Sequence, residues 1–79
     1  MKVYLDPDLV SEEKKTAYLN ERVRMERDIL LFQSDWTQMT DSPLSNSKKA
    51  EWATYRQQLR DFPATWTPAD TADFPDPPS

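Results

Sequence analysis

The sequence has no cysteine, no histidine and no glycine. Without cysteine there is no disulfide staple, no thiolate nucleophile and no thiolate zinc site. Without histidine the chain lacks the usual proton shuttle of neutral pH and the commonest metal ligand. Without glycine, phosphate-cradling loops and dinucleotide fingerprints are excluded, because both need close backbone approach at a residue with no Cβ. Two-residue hairpin turns lose their preferred residue as well. An enzyme would have to work with carboxylates, lysine, arginine, tyrosine and hydroxyls alone. The 79 residues allow one domain with a thin core and no deep pocket. Composition therefore points away from catalysis, and no cofactor or small-molecule ligand is expected.

Two further features are missing. No run of about 18 apolar residues is present, so no membrane-spanning helix is expected. The first ten residues, MKVYLDPDLV, carry neither the apolar stretch nor the small-residue cleavage site of a secretory leader. The basic excess that nucleic-acid binding requires is also lacking, since the net charge is −4 and the pI about 4.6. Anionic membrane surfaces are disfavoured for the same reason. What remains is a protein that works by touching other proteins.

The expected organisation is an extended arm over 1–10, a helical hairpin over 11–62 and an extended, acidic, proline-rich arm over 63–79. In the first arm, Val3, Tyr4 and Leu5 favour extended geometry, and Asp6 is steered out of the helical region by Pro7. This segment reads either as a frayed end or as a short strand lent to a partner's sheet edge. A helix is expected over about 11–33, with Ser11 as N-cap and Glu12 and Glu13 on the positive end of the dipole. Tyr18, Arg22, Met25, Ile29 and Phe32 form one row at 4-3-4-3 spacing, continued by Trp36. Leu19, Val23, Glu26 and Leu30 form a second row, and the two together read as one wide packing face.

Residues 34–47 are rich in Ser, Thr, Asp and Asn and contain Pro43, which predicts a connector. Its three apolar residues, Trp36, Met39 and Leu44, predict that it folds back over the helices. A second helix is expected over about 46–62, capped by Ser45 or Ser47, with Trp52, Tyr55, Leu59 and Phe62 on one side. Pro63 is expected to end it. Arg56 and Arg60 lie on one flank, which is either solvated or free to grip a carboxylate. The last 17 residues hold five of the seven prolines and three aspartates with no basic residue. Trp66 and Phe74 are the exception in a segment whose composition otherwise reads as unstructured. The aspartate groups Asp6 with Asp8, and Asp70, Asp73 and Asp76, could meet a hard cation in principle. No EF-hand pattern surrounds them, and no metal site is expected.

One stretch carries a more specific signal. Arg27-Asp28-Ile29-Leu30-Leu31, Ser34-Asp35-Trp36-Thr37-Gln38, Asp41-Ser42-Pro43-Leu44 and Trp52-Ala53-Thr54-Tyr55-Arg56-Gln57-Gln58-Leu59-Arg60-Asp61 follow one another in order. This pattern resembles the phage tail assembly chaperone family, marked by R-D-x-L-L, S-D-W-T-Q, D-x-P-L and W-A-x-Y-R-Q-x-L-R-D. The match spans residues 27–61. The resemblance implies a tailed-bacteriophage protein with a helical hairpin, an assembly role in the host cytoplasm, and tail or neck proteins as partners. It brings no catalytic residue. An alternative is a structural protein retained in the virion at tail, neck or fibre attachment in multiple copies, and self-association stays open.

In physical terms most of the motif specifies a fold. Leu30, Leu31, Asp35, Trp36, Pro43, Leu44, Trp52, Tyr55, Arg56 and Leu59 are expected to form the hairpin and its core. Arg56 is placed to form a charge-assisted bond with Asp35 across the connector. Partner binding is expected in the arms, through Val3, Tyr4, Leu5, Trp66, Asp70, Asp73, Phe74 and Asp76. The C-terminal arm is expected to order only against a neighbouring chain. The expected fold class is all-α, a two-helix antiparallel hairpin with extended arms.

Overall fold

The computed structural model describes residues 1–78. It contains strand β1 (Lys2–Tyr4), helix α1 (Glu12–Ser34), a short 3₁₀ turn (Asp35–Gln38), helix α2 (Asn46–Thr65) and strand β2 (Thr71–Asp73). The two helices form the expected hairpin. The fold is nevertheless not purely α-helical, because β1 and β2 pair antiparallel with Val3 opposite Ala72.

The helices start where the sequence places them. Ser11 occupies the N-cap of α1 in extended geometry but makes no side-chain cap bond. Glu12 and Glu13 supply the negative charge that the first turn favours. Ser45 caps α2, its hydroxyl accepting from the Lys48 amide at 3.1 Å. Pro63, expected to stop α2, lies inside it, and the helix runs on to Thr65. A proline in the last turn forfeits only one hydrogen bond. Continuing the helix lets the Trp66 amide reach the Phe62 carbonyl at 3.0 Å and sets the Phe62 ring 4.7 Å from that of Phe74.

The C-terminal segment folds back along the hairpin instead of waiting for a neighbour. Phe74 is 2% exposed and Ala72 1%. They join Leu5, Leu19, Val23, Tyr55 and Leu59 in one core cluster. The ribbon alternates as a half-buried strand pair must. Val3, Leu5, Ala72 and Phe74 point inward, while Lys2, Tyr4, Thr71 and Asp73 face solvent. The pairing extends past the strands through Leu5 N–H to the Asp70 carbonyl and Phe74 N–H to the Met1 carbonyl, both 2.8 Å. A third element on an exposed helix pair is what a chain of this size needs. Two helices alone would leave one side of Leu19, Val23 and Leu59 in water.

The absence of glycine shows at one place. Asp6 adopts a left-handed backbone (φ 53°), which aspartate tolerates better than most residues. Its carbonyl accepts a hydrogen bond from the Tyr18 hydroxyl at 3.0 Å, so the turn out of β1 is tied to α1.

α1 departs from the expectation of one wide face. Leu19 and Val23 are buried and Leu30 is half-buried against α2 and the ribbon. In the other row Tyr18 packs partly against the core, while the rest of its apolar residues stay outside: Met25 is 50% exposed, Ile29 47% and Phe32 79%. At about 100° per residue the two rows lie roughly 130° apart around the helix, too far to meet the same neighbour.

A clear stability contrast follows. Phe74→Ala should cost roughly 3–5 kcal/mol, as for other fully buried phenylalanines. That would consume most of the stability of a domain this small. Phe32→Ala should change it by no more than about 0.5 kcal/mol. Urea unfolding followed by helical circular dichroism measures both.

Candidate interaction surface

The connector is closed by one side chain. Arg56, on α2, donates from one guanidinium nitrogen to the Leu31 carbonyl and to Ser34 Oγ, both at 2.7 Å. Its other terminal nitrogen donates to Asp35 Oδ1, also at 2.7 Å. This is the charge-assisted bond expected from the sequence, but the environment differs from a solvated flank, since Arg56 is only 9% exposed. Ser34 Oγ also donates within hydrogen-bond reach of the Leu30 and Leu31 carbonyls, and Thr37 Oγ1 donates to the Ser34 carbonyl at 2.7 Å. Gln38 reaches across to the Lys49 carbonyl at 3.1 Å. Arg56, Ser34 and Thr37 hold the turn without presenting a free polar group, so this constellation is structural.

The other motif residues divide between core and surface. Tyr55 and Leu59 are buried, and Leu30, Leu31, Leu44 and Trp52 are partly buried. Trp36, expected in the core, is 44% exposed, its ring 6.3 Å from that of Trp52. Trp52 meets Tyr55 edge to face at 5.6 Å. Pro43 is exposed in the connector. Burial pushes the Tyr55 phenol up, with a smaller push from Asp76. Beside these rings, Leu30, Trp52 and Tyr55 line an open, mostly apolar groove of about 290 Å³, bordered by Met1 and Pro77.

The residues assigned to partner binding do not form one surface. Leu5 and Phe74 are core residues and cannot serve a partner without unfolding. Val3 and Trp66 are partly buried against the core. The three aspartates expected to face a neighbour's cations already meet cations of their own chain. Asp70 lies 3.4 Å from Lys15 Nζ. Asp73 and Asp76 accept from the Met1 ammonium at 3.1 and 2.8 Å. These bonds, led by Asp76, raise the pKa of the ammonium. All three aspartates remain more than half exposed, so the pairs are weak surface contacts.

Periodicity showed the row Met25, Ile29, Phe32 and Trp36, but it could not say that this row would be left uncovered. Met39, in the connector just beyond, is 54% exposed as well. No group of three or more acidic residues among those described could hold a metal ion.

The clasp and the ribbon each yield a measurement. Arg56→Ala should cost about 2–4 kcal/mol, because the Leu31 carbonyl and Ser34 hydroxyl lose a buried charged donor. Asp35→Ala should cost under about 1 kcal/mol, since Asp35 is half exposed and water can replace it at the guanidinium. Equilibrium unfolding of both variants checks the asymmetry. Tyr4 donates to Asp8 Oδ1 at 2.6 Å, and chiefly that bond pushes its phenol up to about 12 from an ordinary value of 10.0. The folded state therefore holds the proton more tightly. The contribution to stability is fully present below about pH 10 and is lost as pH rises through about 12. Ultraviolet titration of phenolate absorbance should show Tyr4 titrating late, alongside the buried Tyr55, and Asp8→Asn should bring Tyr4 down while leaving Tyr55 in place.

The family comparison adds to this geometry. The family model described as "Phage tail assembly chaperone protein" matches residues 20–79, which covers α1 from its third turn, the connector, α2 and β2. The match includes the C-terminal segment that the motif pattern over 27–61 leaves out, while β1 lies outside it. No curated protein and no solved structure gives a significant match. With more than half of its length matched, the chain belongs to the phage tail assembly chaperone family.

Proposed function

We propose that this chain acts in bacteriophage tail assembly as a non-enzymatic, transient binding partner of a tail protein. The observation that carries the reading is the family match over residues 20–79, joined to a folded domain that leaves Met25, Ile29, Phe32, Trp36 and Met39 in water. An assembly factor must hold a partner and later release it. An apolar surface presented on a rigid helix meets that requirement without any chemistry. Host cytoplasm is the compartment in which such a factor would work. No helix among the described residues is long and apolar enough to cross a membrane.

Retention in the virion is the competing role, and arms ordered on a neighbouring subunit would favour it. Ordered arms would have implied a neighbouring subunit, but here they order against their own helices.

The test is genetic and compositional. A phage lacking the gene should yield few or no tailed particles by electron microscopy, with rescue from a plasmid copy. Mass spectrometry of purified wild-type particles should then show no stoichiometric peptide from this chain. Normal tails in the deletion would remove the assembly role, and a stoichiometric signal would replace the transient role with a structural one.

A further inference from the structure

We propose that the uncovered face of α1 docks an amphipathic helix of the tail partner, one that carries lysine or arginine along one flank. This rests on the tail-assembly reading above and names the chemistry of the partner. Met25, Ile29 and Phe32 on α1, with Trp36 in the 3₁₀ turn that follows, are spaced 4-3-4 in sequence, the rhythm of a seam at which two helices pack side by side. The seam is exposed along its length, from 44% at Trp36 to 79% at Phe32. Taking about 200 Å² for each large side chain, the seam and Met39 offer on the order of 500 Å² of apolar surface. Against a total of 5395 Å² that is about a tenth of the molecule, the share that a specific interface typically occupies.

The flanks of the seam say what covers it. Glu21 and Asp28 follow one another at a seven-residue interval and form an acidic row along one side of α1, and Asp35 follows at the same interval at its C-cap. All three are exposed. Asp28 is paired with Arg27 and Asp35 with Arg56, yet they remain 64% and 50% exposed. On the other side lie Glu26 and Gln33, and Arg22, which continues the seam toward the N-terminus, closes on Glu26 at 3.0 Å. Arg24 lies one step further round, behind the acidic row.

A second copy of the chain fits this pattern poorly. Antiparallel self-pairing sets the acidic row against its own copy. Parallel pairing sets Glu21 against Glu26, brings Arg22 onto Arg22 at the seam, and gives Asp28 only Gln33. Flanking charges decide partner and orientation in paired helices, so both arrangements are selected against. A helix with an apolar seam and a basic flank satisfies the acidic row and covers the apolar one. The chain's overall charge of −4 steers the same encounter.

The probes are two synthetic helical peptides of about three heptads, with leucine at the seam positions. One carries lysine along the flank and the other glutamate. Binding to the full chain is read by peptide fluorescence anisotropy. The lysine peptide should bind saturably and the glutamate peptide at least about tenfold more weakly. Phe32→Ser should weaken the lysine peptide at least about tenfold while keeping the parent's circular dichroism. The double variant Glu21→Lys, Asp28→Lys should reverse the preference, and it tests the proposal even if Phe32→Ser misfolds. Failure of both peptides to bind, equal binding of the two, or indifference to the double variant would overturn the proposal. So would sedimentation of the parent as a dimer that Phe32→Ser dissociates, since a second copy would then cover the face. The deletion phage separates this inference from the reading beneath it. If a folded Phe32→Ser copy restores tails as fully as the parent, the docking face is wrong while the assembly role stands. If the deletion never impaired tails, the assembly role is wrong.

Discussion

The Arg56 guanidinium is the contact on which the hairpin depends. A helix leaves its last carbonyls without intrahelical partners, and a glycine beyond the end usually helps to satisfy them. This chain has no glycine, and α1 has no basic residue in its last turn. The missing donor and the missing cation both come from the middle of the opposite helix. By binding the Leu31 carbonyl, Ser34 Oγ and Asp35 together, Arg56 meets the negative end of the α1 dipole and fixes the two helices in register. Ser34 and Thr37 reinforce the termination, their hydroxyls adding hydrogen bonds to the Leu30 and Ser34 carbonyls. The family motif is read more usefully in this light. Ser34, Asp35, Thr37 and Arg56 form a polar device for turning the chain, with Trp36 left on its outer side.

The two helices were legible because their signals are local. Glu12 and Glu13 mark one start, Ser45 marks the other, and a row of apolar residues runs down each helix. The Arg56–Asp35 bond was legible from the motif spacing and residue types. The ribbon was not. Each strand is three residues long, and the partners are separated by nearly the whole chain. Nothing near Phe74 announces that it belongs beside Phe62, and the prolines around it argue locally for an unstructured arm. Pro63 misled for a related reason, since its local preference is outweighed by what the extra turn lets Phe62 and Trp66 pack against. Along α1 the periodicity revealed two apolar rows, but period alone does not say which one has a neighbour. That information lay in β1 and β2, which shield the Leu19 and Val23 side only.

α1 is therefore a helix with two apolar sides, and the sides do different things. One completes a minimal core with α2 and the ribbon. The other is bordered by Glu21, Asp28 and Asp35 on one hand and by the Arg22–Glu26 pair on the other. On the proposed reading such borders set like charge against like charge whenever two copies meet along that row. The domain can thus remain folded while holding that row in water.

The pairing of residues 2–4 with 71–73 also governs the timing of folding during synthesis. Helices can form from local contacts as they are made, whereas closing a loop of this length comes late. At about 5–20 residues per second, β1 waits several seconds on the ribosome before β2 exists. During that interval Leu5 has no Phe74 or Ala72 beside it, and the inner side of the hairpin is unsealed. The native core can therefore close only after β2 has been translated, so the two helices must wait unsealed for the segment that completes them.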